Sequence, residues 1–74
     1  MLSTKKITIE TKTIVDGKEI HGHRAIISEE NISFLPYQID KDACKEHRKV
    51  VRADNAEFED YAYELQESIF GGEK

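Results

Sequence analysis

The chain predicts an α+β fold, with an N-terminal β-hairpin packed on a long C-terminal α-helix or on two helices in line. Three observations carry this. Lys5 to Val15 alternates in polarity and is rich in β-branched residues, as a half-buried strand is. Asp16-Gly17 follows at once, a dipeptide suited to the positive φ angles of a two-residue hairpin turn. Asp40 to Phe70 holds no proline or glycine and carries apolar residues at helical spacing.

The strand assignments follow from parity. Ile7, Ile9, Thr11, Thr13 and Val15 share one face, and Thr8, Glu10 and Lys12 the other. Lys18 to Ser28 returns as the second strand. A regular two-residue hairpin pairs Val15 with Lys18, Thr13 with Ile20, Thr11 with Gly22, Ile9 with Arg24 and Ile7 with Ile26. This register predicts that Ile9 and Ile26 are buried. It leaves Lys12, His21 and His23 on a polar, solvated face. Ser28 to Asn31 is a polar link. Ile32 to Ile39 contains the only proline, which biases Leu35 to an extended conformation. That segment reads as a third short edge strand or an extended connector, with a helical turn from Ser33 as the competing form. Met1 to Thr4 is read as loose.

In the helical region, Cys44, His47, Val51, Asp54, Phe58, Tyr61, Leu65 and Ser68 fall on one stripe, widened by Ala62 and Ile69. Asp40 suits the N-cap and Gly71-Gly72 the stop. Asp54 either begins a second helix, with Glu57 completing a capping box, or lies within a continuous one. Unbroken, Lys41 to Phe70 would run roughly 45 Å, against about 23 Å for a compact chain of this length. One end is therefore expected to project or to be covered by another chain.

The charge order points the same way. Lys41, Lys45, Arg48, Lys49 and Arg52 make the first half of this region basic. Asp54, Glu57, Glu59, Asp60, Glu64 and Glu67 make the second half acidic, with no Lys or Arg among them. This opposes the helix dipole, which favours acids early and bases late. An antiparallel second copy would set basic half against acidic half. The predicted interface is Phe58, Tyr61, Leu65 and Ile69, flanked by Arg48, Arg52, Glu57 and Glu64.

The chain is 74 residues long, the size of one domain near the lower limit of self-sufficient stability. Its expected organisation is 5–28 hairpin, 29–39 connector or edge strand, and 40–70 helical. One cysteine excludes an intrachain disulfide and fits a reducing compartment. No apolar run is long enough for a signal peptide or membrane span, so the expected location is cytoplasmic, with no membrane partner. A net charge of −4 disfavours general nucleic-acid binding.

The candidate chemistry is sparse. His21 and His23 lie two apart on a strand, and Cys44 and His47 three apart on a helix; together they make four N/S ligands, the number tetrahedral zinc takes. The register expected above puts the strand pair on the wrong face for the helix pair, so they read as surface and seam residues. A zinc-stabilised small domain is the alternative. Lys41, Lys45 and Arg48 surround Cys44 within a helical turn, which would depress its pKa. Even so, a helix-borne Cys-x-x-His on so small a chain has no pocket to work in. The glycines match no phosphate-binding loop. The chain thus reads as non-enzymatic, with no catalytic residue and no cofactor.

The run Glu57-Phe58-Glu59-Asp60-Tyr61-Ala62-Tyr63-Glu64-Leu65-Gln66, behind a Lys/Arg-rich helical stretch and an Asp-Gly hairpin, resembles small uncharacterised phage and prophage proteins of Gram-positive bacteria. The resemblance implies a cytoplasmic host context and no activity. It favours virion-assembly or regulatory adaptors and small inhibitors of host proteins. With the helix length and charge order read above, two functional classes are expected. One is a self-associating protein-interaction module, expected to be a homodimer. The other is an acidic inhibitor of a host enzyme or of a DNA-binding or defence protein, with its carboxylates standing for phosphates.

Overall fold

The computed structural model describes residues 5–71. Met1 to Thr4 and Gly72, for which loose chain and a helix stop were expected, lie outside that range. Strands β1 (Ile7–Val15) and β2 (Lys18–Ile27) form the antiparallel hairpin. Asp16 and Gly17 make its turn with φ of 52° and 76°, the left-handed pair that Asp-Gly supplies at least cost. β3 (Ile32–Phe34) and β4 (Tyr37–Gln38) both pair antiparallel with the far side of β2. The connector is therefore edge strand, interrupted where Pro36 withholds an N–H. Two helices follow, α1 (Lys41–Glu46) and α2 (Arg48–Phe70). The architecture is an antiparallel sheet packed on a long C-terminal helix.

The hairpin register differs from the expected one. Val15 pairs with Lys18, but a β-bulge then inserts Ile20, and every later pair shifts by one residue. Ile9 faces Ala25, Ile7 faces Ile27 and Glu10 faces Arg24. The regular register would have set the Arg24 guanidinium beside Ile9 on the core face. The bulge sends Arg24 outward, 3.5 Å from the Glu10 carboxylate and over the Tyr37 ring. It also turns His23 inward, where it is 1% exposed, while Ile9 and Ile26 are only half-buried and Lys12 and His21 are half-buried rather than exposed. Ile20 is buried at the bulge itself. Its carbonyl accepts from the Ile39 and Asp40 amides and from the Cys44 thiol, which ties the helical region to the hairpin.

The helical region breaks at His47, not at Asp54, which lies inside α2. Asp40 caps α1 as expected: its carboxylate accepts from the Ala43 amide at 3.1 Å and holds Lys18 at 2.8 Å. α2 ends at Phe70, but Gly71 closes it in a right-handed conformation (φ −99°), so the left-handed cap expected there is absent at Gly71. The face of α2 turned to the sheet carries Val51, Asn55, Phe58, Ala62, Leu65, Gln66 and Phe70, of which Phe58 and Ala62 are buried. Tyr61 and Ile69, expected in the seam, are 53% and 51% exposed.

α2 is only slightly longer than its own sheet. At 23 residues it runs about 35 Å, and the hairpin beneath it about 30 Å. The molecule is elongated, 46 × 22 × 17 Å, rather than spherical. Gln66 in the last turns of α2 still reaches the Ser28 carbonyl at the end of β2, 2.9 Å away. Helix length therefore gives no argument for a second chain, and the case rests on surface character.

Candidate interaction surface

The two edges of the sheet differ in what covers them. β2 is bordered on one side by β3 and β4, whereas β1 has no strand on its outer side among the described residues. The Leu35 amide donates to the Arg24 carbonyl, so Arg24 directs its backbone groups away from β1. Glu10, opposite Arg24, must then direct its own N–H and C=O to the open side. Thr8 and Lys12, two residues either way, share that orientation. β1 thus offers an uninterrupted row of backbone donors and acceptors with no proline in it.

Above this edge runs one flank of α2. Ile9, Thr11, Phe58 and Tyr61 line an open groove between β1 and α2, rimmed by Glu10, Lys12, Asp54 and Glu57. At 100° per residue, Val50 and Leu65 fall on the same flank; Val50 is exposed and Leu65 half-buried. The other flank faces β3 and β4. There Arg48 and Arg52 line a shallow groove with His21, Pro36, Val51 and Asn55, and Tyr63 stands 6.0 Å from Phe34, centroid to centroid. The eight residues expected to form one interface therefore divide. Phe58 belongs to the core, and Tyr61, Leu65 and Glu57 lie towards β1. Arg48 and Arg52 lie on the opposite flank, and Glu64 and Ile69 are exposed.

Under the helix sits a histidine pair that parity reasoning had placed on the outer face. The His21 and His23 rings are 4.5 Å apart, and His23 packs against Phe58 at 5.9 Å. His23 Nε2 shares a 3.0 Å hydrogen bond with Thr13 Oγ1. Neither Nδ1 has a hydrogen-bond partner among the described residues. Burial first, and the neighbouring His23 second, hold the His21 pKa below its ordinary value. Among the described residues no three His, Cys, Asp or Glu side chains converge to hold a metal ion, so His21, His23, Cys44 and His47 form no common site. His47 is half-buried at the helix break, with Nε2 4.0 Å from Glu46.

The surroundings of Cys44 act against the activation expected from its basic neighbours. Burial foremost, then the Asp40 charge, push its thiol pKa up, and the S–H donates to the Ile20 carbonyl at 3.0 Å. Opposite the helix, on the outer face of the sheet, the Tyr37 hydroxyl donates to Glu10. That bond, more than Lys12 and Arg24, holds the carboxyl below its ordinary pKa.

The sequence did contain signals for the bulge. Ile20 lies on one parity of β2, while Ala25 and Ile27 lie on the other. Only an inserted residue buries all three. No helix among the described residues is long and apolar enough to cross a membrane. No protein-family model, curated protein or solved structure matches the chain.

Proposed function

We propose that this protein is a non-enzymatic interaction module that self-associates as a homodimer. The observation that carries this reading is the apolar surface on α2 towards β1. Tyr61 lies 53% exposed there, beside half-buried Ile9 and Leu65, where the core runs open to solvent. Exposed aromatic and aliphatic surface continuous with a core is the usual mark of a contact face. The non-enzymatic part rests on the state of the nucleophile and bases. The one thiol is buried, with its pKa raised by burial and its S–H on the Ile20 carbonyl, and the two paired imidazoles lie beneath the helix. Sedimentation equilibrium over a wide concentration range tests self-association. A monomer at all concentrations up to about hundreds of micromolar, where even a weak complex of roughly 5–6 kcal/mol would form, ends the proposal.

A second reading has one specific observation in its favour. Glu57, Asp60, Glu64 and Glu67 are exposed along α2, and Tyr63 among them is 56% exposed. A rigid row of carboxylates interleaved with tyrosine fits the basic surface of a host DNA-binding or defence protein, as expected of a phage-borne acidic inhibitor. A stable complex that nucleic acid displaces would support it. Co-purification unaffected by nucleic acid would count against it.

A further inference from the structure

Resting on the self-association reading, we propose that the contact is made by the open edge of β1. A second copy adds its own β1 antiparallel across a two-fold axis at Thr11, forming one continuous sheet with both helices on the same face.

The sequence of β1 is self-complementary about Thr11. A two-fold axis there sets Glu10 against Lys12 of the second copy, and Lys6 against its Asp16. On the helix side it sets Ile7 against Val15 and Ile9 against Thr13. Each acid meets a base and each isoleucine a β-branched residue, the pairs that stabilise antiparallel ladders. The backbone agrees with this choice of axis. Glu10 and Lys12 are the positions whose N–H and C=O face outward, so Glu10–Lys12 is the hydrogen-bonded pair and Thr11–Thr11 the close, non-bonded one.

The layer above fits as well. α2 packs on both β1 and β2, so its axis lies about half a strand spacing inside β1, and the two-fold axis half a spacing outside. With strands about 4.8 Å apart, the two helices run antiparallel roughly 10 Å apart, at the upper end of the 8–10 Å range of packed helices. Thr11 pairs with His23, which stacks on Phe58, so the axis passes near Phe58. Antiparallel helices then bring Val50 to Leu65 of the second copy, and Tyr61 to its Asp54, an acceptor for the phenol. One contact is adverse: Glu57 meets its own copy across the axis.

Two variants test the surface. Lys12→Pro removes an outward N–H and no bond between β1 and β2, and should raise the dimer dissociation constant roughly tenfold or more. Thr11→Cys should form a symmetric disulfide on mild oxidation, since the close pair stands about 4.5 Å apart between Cα atoms, whereas Glu30→Cys, away from the edge, should not. Circular dichroism checks that Lys12→Pro remains folded; if it unfolds, the Thr11→Cys trap decides alone. A wild-type monomer overturns the self-association reading and this inference together. A wild-type dimer that survives Lys12→Pro, or that leaves Thr11→Cys unlinked, overturns the β1 surface and leaves self-association standing.

Discussion

The two borders of the sheet solve the same problem in opposite ways. Any edge strand presents unpaired backbone groups that invite another chain. On the far border, β3 and β4 are three and two residues long and are separated by Pro36. The Tyr37 ring is pressed on Gly22, with its hydroxyl on Glu10 and Arg24 stacked over it. That edge is short and interrupted. On the near border, β1 is nine residues long and free of proline. A chain that blunts one edge and leaves the other whole has one edge available for pairing. Which edge is which depends on Ile32 to Ile39, the segment least regular in its sequence.

The largest effect is expected in the core that both edges share. Phe58 is 5% exposed and touches His23 and Phe34, which places it between the near and far strands. Phe58→Ala should cost about 3–5 kcal/mol in urea unfolding. Amide exchange should speed up in β1 and β4 alike; a change confined to one of them would mean that the edges are supported separately.

Gly22→Ala should break the far border alone. A Cβ at Gly22 would fall within the Tyr37 ring. Displacing that ring should cost about 1–3 kcal/mol, as overpacking does, and should expose the Tyr37 and Gln38 amides. Self-association should remain. If it were lost, the far edge would be the contact.

Asp40→Ala should cost about 1 kcal/mol by removing the N-cap of α1. Fluorescence or circular dichroism under urea would register it, and an unchanged midpoint would deny the cap any role. The near border is sharpened by a smaller change of opposite sign. Glu57→Gln should tighten the dimer by about 0.2–1 kcal/mol, because it relieves like charges across the axis. Arg52→Glu, on the far flank, should move it less. The reverse ranking would place the interface on the Pro36 side.

The pH dependence should be gentle and tied to β4, since His21 pairs with Gln38. Its folded pKa is depressed, so its contribution to stability is full above its ordinary value near 6.5 and is lost as pH falls through the folded value. Stability measured from pH 8 to pH 5 should decline for the wild type and decline less for His21→Gln. Equal slopes would remove His21 as the source.

The hairpin, its turn, the edge character of Ile32 to Ile39, the Asp40 cap and the end of the helix at Phe70 were all legible in the sequence. Each depends on the local chemistry of a few neighbouring residues. Three other features were decided by tertiary structure. The bulge at Ile20 arises because Arg24 and Ile9 cannot share a core face, a conflict between residues 15 apart in sequence. The buried face of α2 turned from Tyr61 towards Asn55 and Gln66 because the helix packs over β2 as well as β1, with Phe34 and His23 filling the far side. The break at His47 rather than Asp54 follows the anchoring of Cys44 and Asp40 on the Ile20 carbonyl, which exists only because of the bulge. Periodicity describes what one element can bury. Which partner it meets, and at which residue, depends on contacts that periodicity does not contain.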